Sequence, residues 1–137
     1  MVYALLTDTT GTVLLVRRRG SALWSLPAGE LRPGTPTDDL LTAYCQRQTG
    51  IAPDAFGPVQ PFTFGGVPHS VASAVVSRTR AGARGRIEAI IWARPEALPT
   101  ETDPMARVAV ATLLQQLTGG KASAGAAVAA APEFQVG

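Results

Sequence analysis

The chain has 137 residues, 46% of them apolar and 16% charged, with a formal net charge of +2. That length suits one compact domain with a real core, and the composition is that of an ordinary, slightly apolar soluble protein. The small net charge argues against a nucleic-acid binder, and the lone cysteine, Cys45, excludes an intrachain disulfide or a Cys-rich zinc site.

Residues 2 to 6 (VYALL) are apolar and β-prone, Asp8 to Gly11 read as a turn, and residues 12 to 18 (TVLLVRR) return as a second strand, which together predict a hairpin. Arg17, Arg18 and Arg19 stand where that strand emerges. They serve either to keep an exposed strand end soluble or to bind an anion. Thr37 is expected to cap a helix whose first turn carries Asp38 and Asp39, where the helix dipole favours negative charge. Leu40, Leu41, Tyr44 and Cys45 form its apolar stripe, and Gly50 suits the left-handed position that ends it. Within that stripe Cys45 is expected to be a buried, inert thiol, and Tyr44 either core or pocket wall.

Pro53, Gly57, Pro58 and Pro61 predict a loop. A strand begins near Phe62 to Phe64, broken by Gly65, Gly66 and Pro68, and Val71 to Val76 is a further strand. The Arg-rich stretch 77 to 86 reads as a hairpin tip from which Ile87 to Trp92 pairs back; Arg78, Arg80, Arg84 and Arg86 form either a basic patch for phosphate or nucleic acid or, in the absence of interleaved aromatics, a solvated tip, which is the preferred reading. Pro104 stands at a first-turn position of a helix over Met105 to Leu117, with Val108, Ala109, Leu113 and Leu117 inward and Gly119–Gly120 as its end. Residues 1 to 118 thus form the predicted domain, and residues 119 to 137, rich in Ala and Gly, a flexible tail.

Eleven of the twelve basic residues are Arg, and Ala and Gly are abundant, a usage compatible with a GC-rich bacterial genome. Neither a basic-then-apolar leader nor a run of about 18 apolar residues is present. A cytoplasmic location without membrane attachment is the expectation.

The stretch Leu26 to Ile51 resembles the Nudix box, which reads Gly, five residues, Glu, seven residues, Arg-Glu, an apolar residue, any residue, Glu-Glu, any residue, Gly, apolar. With Gly29 as the first glycine, Gly50 and Ile51 fall on the last two positions without a gap. Thr35 stands at the first Glu, Ala43 and Tyr44 at the Arg-Glu pair, and Arg47 and Gln48 at the Glu-Glu pair. The upstream TGTVLLVRRRG and LWSLPAG and the downstream EAIIWARPEAL resemble the family's flanks. The resemblance implies an α/β/α sandwich around a mixed sheet. In the family, helix glutamates hold divalent metal against a diphosphate.

Magnesium and manganese want oxygen ligands, preferably anionic. Tyr44 offers a phenol that stays protonated near neutrality, Gln48 a neutral amide, and Arg47 a positive charge. The box therefore lacks both metal ligands and a base to activate water, and no metal or cofactor is expected. A Nudix-like domain that binds a small molecule without hydrolysing it follows, with Arg18, Trp24, Tyr44 and Gln48 lining a largely neutral cleft. Three alternatives stand beside it. A metal-free isomerase, cyclase or lyase would use Glu30, Tyr44, His69 or Glu88 for acid–base chemistry. A hydrolase of nucleoside diphosphate derivatives would need relocated ligands, for which Glu30 and Glu88 are the available acids. A non-catalytic interaction module, including a homodimer, would use a sheet edge, the Arg-rich hairpin or the C-terminal tail. His69, the one histidine, is expected on a loop entering a strand.

Overall fold

The computed structural model describes the backbone of residues 1–124 and the side chains of residues 1–115. Six strands and two helices follow in the order β1 (Val2–Thr7), β2 (Val13–Arg18), β3 (Ala28–Gly29), α1 (Thr37–Thr49), β4 (Gln60–Phe64), β5 (Val67–Val75), β6 (Ile87–Ala93) and α2 (Pro104–Ala124). The sheet is mixed and runs β4-β5-β1-β2-β6, with β3 paired to the start of β1. β1 and β5 are parallel, Val2 facing Ser70 and Thr7 facing Val75, and the other pairs are antiparallel.

Both faces of the sheet are covered, which is why β1 and β2 read as continuous apolar runs rather than alternating ones. Val2, Ala4, Leu6 and Leu14 pack with Leu40, Leu41, Tyr44 and Cys45 of α1. Tyr3, Leu5, Val13 and Leu15 pack on the other side with Ala106, Ala109, Val110 and Leu113 of α2. The expected α/β/α sandwich is therefore present. Cys45 is fully buried, and burial pushes its thiol up to about 12, so it stays protonated and inert.

The β1–β2 hairpin is pinned by Asp8. One carboxylate oxygen accepts hydrogen bonds from Thr10 N, Thr10 Oγ1 and Thr12 N, and the other pairs with Arg78 Nε at 2.9 Å. Burial works to raise the Asp8 pKa, but the hydrogen bonds from Thr10 and Thr12 outweigh it and hold the carboxyl at about 2.

Several elements depart from the sequence expectations for identifiable reasons. The residue at the α1 cap position is Pro36, and no side chain caps the helix; Thr37 already lies inside it. The proline ring holds φ at −57°, already a helical value, and the ψ of 140° leaves Pro36 just outside the helix. Gly50 does end it in the left-handed conformation, φ 78°. Gly65 and Gly66 do not interrupt strand pairing but form a two-residue turn, both with positive φ, that joins β4 to β5.

The Arg-rich segment is not a hairpin tip. β5 is already flanked by β4 and β1, and β6 pairs with β2, so the segment crosses between separated strands. On its way it covers the end of α1, where Gly82 N donates to Thr49 O and Arg84 N to Gln48 O. α2 continues through Gly119 and Gly120 to Ala124. A helical glycine costs about 1 kcal/mol relative to alanine and is not by itself a stop. The tail was expected to begin at residue 119; residues 125–137 lie outside the described residues, as does the side chain of Leu117.

Candidate functional site at the box helix

The N-terminal half of β1 holds β3 beside it, Val2 opposite Gly29 and Tyr3 opposite Ala28. β3 in turn lies against the face of α1 that presents Tyr44 and Gln48, which are one helical turn apart. Gln48 reads the backbone of Ala28 from both sides: its Nε2 donates to Ala28 O at 2.8 Å and its Oε1 accepts from Ala28 N at 3.4 Å. The Tyr44 hydroxyl donates to Glu30 O at 2.6 Å. The Tyr44 ring covers the Cα of Gly29, and a Cβ at that position would overlap its Cε and Cζ atoms. The two residues at the box's glutamate positions therefore tie the helix to the box loop.

Cationic side chains gather around the same point. Arg18 Nη2 donates to Gln48 Oε1 at 3.5 Å. Arg47 lies over the Tyr44 ring, its Cζ 5.6 Å from the centroid. Arg84 lies over Gly50, where a Cβ would stand 2.6 Å from its Nε. Three carbonyls in the last turn of α1 are engaged as well, since Gln46 O accepts from Gly50 N, Gln48 O from Arg84 N and Thr49 O from Gly82 N.

The remaining predicted residues sit elsewhere or are already engaged. Glu88 is the extra residue of a β-bulge, because Arg17 pairs with Ala89 and Arg18 with Ile87. Its carboxylate meets Arg17, at 2.9 Å from Nη2. The same guanidinium stacks on Trp24, 4.9 Å from the ring centroid. Trp24 is half-buried and anchors the entry to α2, its N donating to Glu101 O and its O accepting from Asp103 N, each at 2.7 Å. Glu30 is exposed, and its contact to α1 is made by its backbone carbonyl. Among the described residues no group of three or more His, Cys, Asp or Glu side chains converges as a metal-binding cluster.

His69 is not on a loop. It lies within β5, is only 6% exposed, and packs against Phe62 and Tyr3 with centroids 5.3 and 5.9 Å away. Those rings belong to the α2-side layer, whereas Tyr44 belongs to the α1-side layer. Both imidazole nitrogens are buried without hydrogen-bond partners. Burial, with the N-terminal ammonium second, lowers its pKa below the ordinary 6.5. The unfolded chain then binds the proton more readily than the folded one. Stability is fully present above pH 6.5 and is lost as pH falls towards the folded value. Replacing His69 by Phe is expected to stabilise the protein by about 1 kcal/mol or more and to flatten its stability between pH 5 and 7, read by denaturant unfolding. An unchanged or steeper pH profile would show that His69 is solvated.

A cleft of about 710 Å³ opens at the opposite end of the sheet, between the Asp8–Thr10 turn, residues 51–54 and residues 75–80. Arg18, Trp24, Tyr44 and Gln48 do not line it.

The fold is that of the Nudix hydrolases. No family model matches the chain and no curated protein resembles it closely in sequence. Solved structures do resemble it. A MutT NUDIX hydrolase from Burkholderia pseudomallei is 17% identical over 82% of this chain and 98% of its own, with a TM-score of 0.60. The NUDIX domain of Shewanella oneidensis NrtR, solved with ADP ribose, is 15% identical over 85% and 86%, TM-score 0.66. A C. elegans Ap4A hydrolase is 13% identical over 86% and 96%, TM-score 0.63. At these identities the likeness is one of fold. Among the described residues no helix is long and apolar enough to cross a membrane.

Proposed function

We propose that this protein uses the Nudix fold without metal-dependent diphosphate hydrolysis, and that the box end of the domain holds a small molecule directly. The observation that carries this is the engagement of Tyr44 and Gln48 with the backbone of Ala28 and Glu30. A metal site needs carboxylate or carbonyl oxygens free to point at the ion, and these positions supply a phenol donor and an amide already used at both ends.

A hydrolase with relocated ligands is less well supported, because Glu88 is ion-paired with Arg17 and no group of three or more His, Cys, Asp or Glu side chains among the described residues could hold a metal. A metal-free acid–base enzyme built on Tyr44 and His69 together is opposed by their placement on opposite faces of the sheet.

The test is incubation of the concentrated protein with nucleoside triphosphates, ADP-ribose, dinucleoside polyphosphates and prenyl diphosphates, with magnesium, with manganese and with EDTA, and quantification of products by mass spectrometry. No product above the protein-free blank is expected in any arm. Metal-requiring turnover that disappears in Glu88→Gln would overturn the proposal and assign relocated ligands.

A further inference from the structure

β1 and β5 run parallel, and their carboxyl ends lie side by side, Thr7 opposite Val75. The chain leaves β1 into the Asp8 turn and leaves β5 into the crossover towards β6. These departures, with residues 51–54 after α1 as a third wall, enclose the cleft of about 710 Å³. Crevices outside the carboxyl ends of parallel strands are common ligand sites in open α/β sheets, and the volume is that of a small-molecule site.

One guanidinium at this cleft is held in place from three directions. Arg78 Nε lies 2.9 Å from Asp8 Oδ2, its Nη2 donates to Thr12 Oγ1 at 3.4 Å, and its Cζ stands 5.1 Å from the Trp92 ring centroid. Asp8, which orients it, is buried and is itself fixed by Thr10 and Thr12. Arg78 Nη1 is left without a hydrogen-bond partner among the described residues.

Asp8 and Arg78 neutralise each other, so Arg80 and Asp54 set the charge balance of the cleft. Both line it, from different walls, and among the described residues neither belongs to an ion pair. A cation and a carboxylate thus share one cleft without meeting, and a molecule that carries both charges can bridge them. The lining also has an apolar part: Ile51 and Pro53 are buried, whereas Val75 stands 70% exposed at the end of β5. Covering Val75 removes apolar surface from water.

We infer that this cleft binds a small zwitterion with an apolar side chain, of the amino-acid or short-peptide type. Its carboxylate meets Arg80 and Arg78 Nη1, its ammonium meets Asp54, and its side chain covers Val75. A phosphate dianion is disfavoured, because Asp54 lines the same space and the charge of Arg78 is already met by Asp8. The site lies away from the box helix and is independent of the non-hydrolytic reading. It lay beyond the reach of sequence spacing, because Asp54 follows α1 and Arg80 precedes β6, and the crossover is what brings their segments to one cleft.

The test is calorimetric titration of the full chain with L-leucine and with L-leucyl-L-leucine, beside N-acetyl-L-leucine, which lacks the ammonium, and L-leucinamide, which lacks the carboxylate. Saturable binding of a zwitterion is expected at millimolar or lower concentration, with each analogue about tenfold weaker for the loss of one charge-assisted hydrogen bond. Tighter binding of the dipeptide assigns a peptide ligand, and equal or tighter binding of leucine a free amino acid. Asp54→Asn and Arg80→Gln should each weaken binding about tenfold. Both side chains are exposed, so the thermal midpoints of these variants should match the parent's. Arg32→Gln, exposed on the loop after β3, should bind like the parent.

No saturable heat from either zwitterion at millimolar concentration would overturn the inference. So would analogues that bind as tightly as the zwitterions, or Asp54→Asn and Arg80→Gln variants that bind like the parent. The analogues are compared on the unaltered protein, so that arm decides even where a substitution disturbs the fold. Tighter binding of pyrophosphate in EDTA than of either zwitterion, weakened in Arg80→Gln, would overturn it in favour of a simple anion site.

Discussion

Gln48→Leu is expected to lower the unfolding free energy by about 2–4 kcal/mol, because it strips hydrogen-bond partners from both the N–H and the C=O of buried Ala28. Leucine nearly matches glutamine in volume, so the loss reports unsatisfied polar groups rather than a cavity. The β3–β1 pairing is only two residues long and has little else to hold its outer edge to α1. Gln48→Glu, which restores the residue type of the family box, should also destabilise. Its carboxylate can accept from Ala28 N but cannot donate to Ala28 O, and attraction to Arg18 offsets only part of that loss. Denaturant unfolding measures both. A loss below about 0.5 kcal/mol for Gln48→Leu would mean that water satisfies Ala28 and that Gln48 is free for other work.

Gly29→Ala is expected to cost about 3 kcal/mol, at the upper end of what forced overpacking costs, because the added methyl meets the face of the Tyr44 ring. Gly29 does not need a left-handed backbone, so the penalty is steric. It should therefore depend on its neighbour. In a Tyr44→Ala background, Gly29→Ala should cost less than about 1 kcal/mol, giving a coupling of about 2 kcal/mol in the double-mutant cycle. Additive effects would place the ring away from Gly29 and reopen the space that Tyr44 fills in the box loop.

Those two contacts also mark how far the sequence can be read. The box frame, from Gly29 to the left-handed Gly50, was legible because it depends on local spacing and on a glycine whose φ is positive. The hairpin of β1 and β2 was legible because an Asx turn around Asp8 separates two apolar runs. The loss of the carboxylates was visible, but what Tyr44 and Gln48 do instead was not, since their partners are backbone atoms of β3 and the following residue rather than side chains with a sequence signature. The Arg-rich segment resembled a hairpin because Val/Ile runs flank it. Only the competition of β4 and β1 for the edges of β5 decides otherwise. His69 looked like a loop residue because Gly65, Gly66 and Pro68 precede it, yet the two glycines make a tight turn and β5 begins directly after them.

Manganese occupancy measured by electron paramagnetic resonance tests the central claim most directly, because it asks whether the box helix holds a metal and does not depend on guessing a substrate. With the protein in excess over Mn²⁺, the free-ion signal should match that in buffer alone, both without and with pyrophosphate corrected for the pyrophosphate-only chelate. Stoichiometric loss of the free signal that is reversed in Glu30→Gln or Glu88→Gln would contradict the account and establish a relocated metal site on this fold.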